Sequence, residues 1–98
     1  MNESAETRKR MNSTYFGLLA EFGTSEIPLE LICEKYFGCE LPRARARGAR
    51  KALPVTAYRP VNSQKSGYLV SAAELAEHLD RQKEKAAMTL PNMVTNGR

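Results

Sequence analysis

The chain has no tryptophan, one histidine and two cysteines among its 98 residues, and each scarcity closes off a class of chemistry. His78 is the only histidine; no Ser/His/Asp or Cys/His arrangement can be defended around it, and it reads as a surface residue of a helix rather than as a metal ligand or general base. Cys33 and Cys39 are six apart, which is neither the C-x-x-C of a redox pair nor the spacing of a zinc half-site, so both read as reduced structural thiols. No apolar run approaches the roughly 18 residues of a membrane span. The first residues, Met1-Asn2-Glu3-Ser4-Ala5-Glu6, carry acids where a signal peptide starts basic and turns apolar, and the expectation is a cytoplasmic protein. There is no Gly-rich phosphate loop either, since Gly48 stands alone. A chain of this length buries only about two-thirds of its unfolded surface, which leaves little room for a deep catalytic cleft. The expectation is a non-enzyme with no cofactor, no metal, no membrane partner and no small-molecule substrate.

What remains is an ordinary globular composition, 42% hydrophobic and 27% charged, enough for one small domain. Residues 1–12 are polar, with a basic knot at Arg8-Lys9-Arg10, and read as a disordered arm. From Asn12 or Ser13, either able to cap a helix, Tyr15, Leu18, Leu19 and Phe22 follow at i, i+3, i+4 and i+7, the spacing of a buried helical stripe that Gly23 would stop. A second helix is predicted from Pro28 to Phe37, on Leu29, Ile32, Cys33 and Tyr36, with Gly38 ending it. A third is predicted from Leu41 to Ala52, with Pro42 in its first turn and Pro54 closing it off. Extended stretches at Val55–Arg59 and Gly67–Val70 flank a polar turn and predict a two-stranded hairpin. Ser71 with Glu74 forms a capping box ahead of Ala72, Leu75, Ala76 and Leu79, which predicts a last helix. After Met88 the sequence has no period, and residues 88–98 read as a flexible tail. Tyr15, Phe22, Tyr36 and Phe37 fall at core-facing positions, leaving Tyr58 and Tyr68 on the hairpin as open candidates for nucleic-acid contact. The expectation is a mainly α protein with a small β-hairpin, a winged helix-turn-helix over residues 13–87. In that architecture the second helix of the pair enters the major groove and the hairpin touches the neighbouring backbone.

The most informative absence is of acids. From Leu41 to Lys65 there is no Asp or Glu, against seven bases: Arg43, Arg45, Arg47, Arg50, Lys51, Arg59 and Lys65. The other eight bases share the rest of the chain with all eleven acids, so the modest net charge of +4 hides a strong asymmetry. Such a segment is the electrostatic footprint of a phosphate-binding face. At about 100° per residue, Leu41, Ala44, Gly48 and Ala52 gather on one side of the third helix and Arg43, Arg47 and Arg50 on the other. Arg45 falls near the inner face, at the helix edge or snorkelling to a phosphate. The sequence therefore nominates Arg43, Arg47 and Arg50 for the major groove, Arg45 and Lys51 for phosphates, and Arg59 and Lys65 for the wing, with Asn62, Ser63 and Gln64 as neutral donors beside them.

Four stretches carry a family resemblance: Ile27-Pro28-Leu29-Glu30-Leu31-Ile32-Cys33-Glu34-Lys35-Tyr36-Phe37, Ala52-Leu53-Pro54-Val55, Ser63-Gln64-Lys65-Ser66 and Ala73-Glu74-Leu75-Ala76-Glu77-His78-Leu79-Asp80-Arg81-Gln82. In these the chain resembles the pyocin activator protein family (PrtN), from near Met11 to about Ala87, and more distantly the phage excisionase and Cox-like winged-helix proteins. The resemblance implies a DNA-binding transcriptional activator of bacteriocin or phage-tail-like gene clusters in bacteria. Double-stranded promoter DNA is the expected partner and RNA polymerase a candidate one, and self-association on DNA, which a small winged domain often needs to cover enough sequence, stays open. The segment Arg43-Ala44-Arg45-Ala46-Arg47 is more arginine-rich than the family pattern. Two other readings use the same residues: an excisionase-like factor that bends DNA, and a phage-type adaptor whose basic patch meets an acidic protein.

Overall fold

The computed structural model describes residues 13–61 and 66–96, with side chains as far as Met88. The arm at 1–12 and the wing residues Asn62, Ser63, Gln64 and Lys65 lie outside the described residues. Helix α1 covers 13–22. It stops where foreseen: Gly23 takes φ 72°, a left-handed conformation that costs glycine little, and its N–H donates to the Leu19 carbonyl at 2.7 Å. Strand β1 (Glu26–Pro28) follows, then a 3-10 turn (Leu29–Leu31), α2 (Cys33–Phe37), α3 (Leu41–Ala49), β2 (Ala57–Tyr58), β3 (Leu69–Ser71) and α4 (Ala72–Asn96). The chain is mainly helical with a small antiparallel sheet of order β1-β3-β2, a winged-helix-like arrangement.

Four elements depart from the sequence expectations. The segment Pro28–Phe37 is not one helix: Pro28 closes β1, a 3-10 turn carries Leu29, and α2 begins only at Cys33. Proline serves here at the end of an edge strand, where its missing N–H is not needed, rather than at a first helical turn. The hairpin accordingly becomes a three-stranded sheet, with Ile27 opposite Val70 on one side of β3 and Ala57 opposite Val70 on the other. Finally, α3 ends at Ala49 instead of Ala52, and the backbone of α4 runs on to Asn96 instead of leaving the helix near Met88. Pro91 lacks a helical N–H donor, but the strong helix formers from Glu84 to Met88 carry the helix into it.

The apolar stripes meet in one core. Leu18 from α1, Ile27 from β1, Leu29 and Ile32 around the 3-10 turn, Cys33 from α2, Ala44 from α3, Val70 from β3, and Ala72, Leu75 and Ala76 from α4 are all buried. The aromatic residues Tyr15, Phe22, Tyr36 and Phe37 pack around its rim as partly buried side chains. Polar ties fix the outer elements. Thr14 Oγ1 donates to Asp80 Oδ1 at 2.7 Å, joining the start of α1 to α4. On the outer face of the sheet the Tyr58 hydroxyl donates to the Glu26 carboxylate, spanning from β2 across β3 to β1, and this bond holds the Tyr58 phenol above its usual pKa. Cys33 and Cys39 are free thiols, and burial pushes the Cys33 thiol up, with Cys39 and Glu34 adding to the shift.

Candidate nucleic-acid interface

A helix-turn-helix pair requires a tight turn between its helices, and Gly38 supplies one here. At φ 67° its N–H reaches back to the Cys33 and Glu34 carbonyls, and the Cys39 N–H adds a bond to the Cys33 carbonyl at 3.2 Å. Pro42 then starts α3 in its first turn with no donor to leave unsatisfied. Ala44 and Gly48 face inward and are buried, while Pro42, Arg43, Arg45, Ala46, Ala49 and Arg50 are exposed. The smallness of Gly48 is what lets α3 touch the wing: a Cβ there would stand 3.1 Å from the Ala57 Cβ and 3.5 Å from Leu53 Cδ1.

The arginines of α3 divide in a way the helical wheel did not foresee. Arg43 and Arg50 are exposed on one flank of the outer face. Arg45 is exposed as well; roughly 150° around the axis from them and about 60° from Gly48, it stands on the opposite flank at the edge of the inner face. Arg47 is half-buried: its Nη2 donates to the Ala52 carbonyl at 3.3 Å and its Nη1 to Cys39 Sγ at 3.8 Å. That side chain ties the turn before α3 to the loop after it. Lys51 and Arg59 are exposed, and the Arg59 guanidinium lies over the Tyr68 ring, 5.2 Å from its centroid.

The wing is held to the body by a contact that the capping-box pattern conceals. Ser71 does cap α4, its Oγ accepting from the Glu74 N–H at 3.4 Å. The Glu74 carboxylate, however, turns to Thr56, accepting from its backbone N–H at 2.9 Å and its hydroxyl at 3.0 Å, and so anchors the strand entering the wing. Nothing in the sequence pattern signals that partner. His78 is half-buried, its ring 6.3 Å from that of Phe37. Burial, and then the charges of Arg81 and Lys85, hold the imidazole below its ordinary pKa.

Among the described residues no helix is long and apolar enough to cross a membrane. A small winged-helix-like domain carrying a cluster of exposed bases is the class that these observations define. The comparison with known families sharpens this. Residues 14–86 match the family model of the pyocin activator protein PrtN, and the chain belongs to that family, one of transcriptional activators of pyocin genes. No curated protein and no solved structure matches the chain.

Proposed function

We propose that the protein activates transcription by sequence-specific binding to double-stranded promoter DNA in the bacterial cytoplasm, with α3 in the major groove and the β2–β3 wing on the adjacent backbone. The observation that carries this reading is the acid-free stretch 41–65, in which Arg43, Arg45, Arg50, Lys51 and Arg59 are all exposed. Arg43 and Arg50 are two helical turns apart, roughly 10.5 Å along the axis, or about three base-pair steps. Both can reach guanine O6 and N7 in parallel. Arg45 on the other flank serves the opposite phosphate wall, and Ala46 and Ala49 between the flanks let the helix lie close to the base edges. Lys65, with Asn62, Ser63 and Gln64, extends the contact along the wing. Arg47 acts by seating α3. RNA polymerase is the further partner that activation calls for.

The test is selection of preferred duplexes from a random pool, followed by the Arg50→Ala variant on the selected and on scrambled sequences. A base-reading Arg50 loses about 1–3 kcal/mol on the selected site and little on the scrambled one. An equal loss on both makes Arg50 a phosphate contact, and no preferred duplex for the wild type defeats sequence-specific binding.

A further inference from the structure

We propose that the cleft between the carboxyl end of α3 and the wing is a seat for one phosphodiester of the DNA backbone, gripped by the Lys51 ammonium and the Arg59 guanidinium. The proposal rests on the DNA-binding reading and adds to it a defined seat and a reason for an unfavourable backbone conformation.

The cleft has a volume of about 550 Å³ and is lined by Gly48, Lys51, Pro54, Arg59, Tyr68 and Glu74 among others. Lys51 is the first residue past the cap of α3. The Lys51 N–H donates to the Gly48 carbonyl at 3.1 Å and the next N–H, from Ala52, to the Arg47 carbonyl at 2.7 Å, which closes the helix with Lys51 at φ 58°. Glycine is the residue that this position favours. The other two left-handed positions among the described residues, at φ 72° and 67°, are Gly23 and Gly38, and both also end helices. Lys51 is thus the one non-glycine residue in this conformation among the described residues, and what it adds over glycine is a long side chain with a positive charge on the cleft wall. No carboxylate among the described residues pairs with it.

The wing supplies the complementary group on the same lining. Arg59 lies over the Tyr68 ring, which restricts the freedom of its guanidinium. A planar guanidinium and a mobile point charge on one lining are a donor set suited to a phosphodiester. Glu74, the carboxylate on the lining, is turned onto the Thr56 N–H and hydroxyl. A free anion would meet the partial negative charge at the carboxyl end of α3 with only these two side chains to offset it. A phosphate that belongs to a duplex already held by Arg43, Arg45 and Arg50 arrives with the rest of the basic face engaged, and this favours the DNA backbone as the occupant.

The experiment compares the full chain with Lys51→Gly and Lys51→Arg by fluorescence anisotropy on promoter and random duplexes across 50–200 mM salt, together with thermal unfolding. Lys51→Gly relieves the left-handed strain, so its midpoint equals or exceeds that of the wild type. Its affinity falls by a similar factor on every duplex, roughly five- to tenfold near 0.1 M salt, and its log K against log salt slope becomes shallower by about one. Lys51→Arg restores both. Wild-type affinity and slope in Lys51→Gly, on duplexes the wild type binds tightly, overturn the seat and leave the DNA-binding reading standing. A wild type that binds no duplex overturns both. A titration with inorganic phosphate, read by amide shifts at Lys51 and Arg59 without DNA, checks the occupant: saturation below about 1 mM assigns the cleft to a free anion and overturns the backbone seat.

Discussion

Arg47 shows how far a charge can be located without its partner being known. Its spacing from Arg43 and Arg50 places it on the basic side of α3, and that much is legible in the sequence. Its bonds to Cys39 Sγ and the Ala52 carbonyl depend on how the turn before α3 and the loop after it come together, which no periodicity reports. Arg47→Ala is expected to lower stability by about 1 kcal/mol, as for a part-exposed charged hydrogen bond, in a denaturant titration. Arg47→Lys should not recover it, because one ammonium cannot span both acceptors; full recovery would show that charge alone matters at this position. His78 makes a second residue-scale prediction. Its folded pKa lies below the ordinary value of 6.5, so the unfolded chain takes up the proton first as pH falls. The stability that neutral His78 contributes is therefore complete above about pH 6.5 and is lost as pH falls below it. Thermal midpoints at pH 7 and 5 should differ by more in the wild type than in His78→Gln, and equal differences would contradict the assignment.

At the scale of elements, the stripes of α1, α3 and α4 are readable because a helix of two or more turns repeats its apolar side often enough to be counted. Leu18, Ala44, Leu75 and Ala76 are buried as their spacing requires. β1 is not readable, because Glu26–Pro28 is three residues long and too short for an alternation to show. The 3-10 turn keeps Leu29 and Ile32 inward while breaking the helix that their spacing imitates. The close approach of α3 to β2 at Gly48 rests on the absence of a side chain and shows in sequence only as a lone glycine inside a helix. Gly48→Val is expected to destabilise the fold by about 1–3 kcal/mol through overpacking against Ala57 and Leu53. Since the wing takes its position from α3 here, the same variant should weaken DNA binding even where it remains folded. Calorimetry and anisotropy on one sample measure the two effects, and a stable variant with unaltered binding would show that the wing is positioned from elsewhere.

For the whole molecule, the decisive feature is one-sidedness. Most of the chain is slightly acidic in balance, and the excess positive charge lies on α3, the loop after it and the wing. The core organises this segregation: the small residues Ala44 and Gly48 face inward, so every long basic side chain of α3 except Arg47 is left outside. Membership of the pyocin activator protein family agrees with a regulator of transcription. The central claim is that this surface binds duplex DNA, and the most direct measurement is the affinity of the intact protein for random and pyocin-promoter duplexes at 50 and 200 mM salt. The account predicts binding that weakens steeply with salt, by about 10³-fold or more if six or more phosphates are engaged, and that is tighter on the promoter. Absence of binding to any duplex at 50 mM salt, or an affinity indifferent to salt, would contradict it.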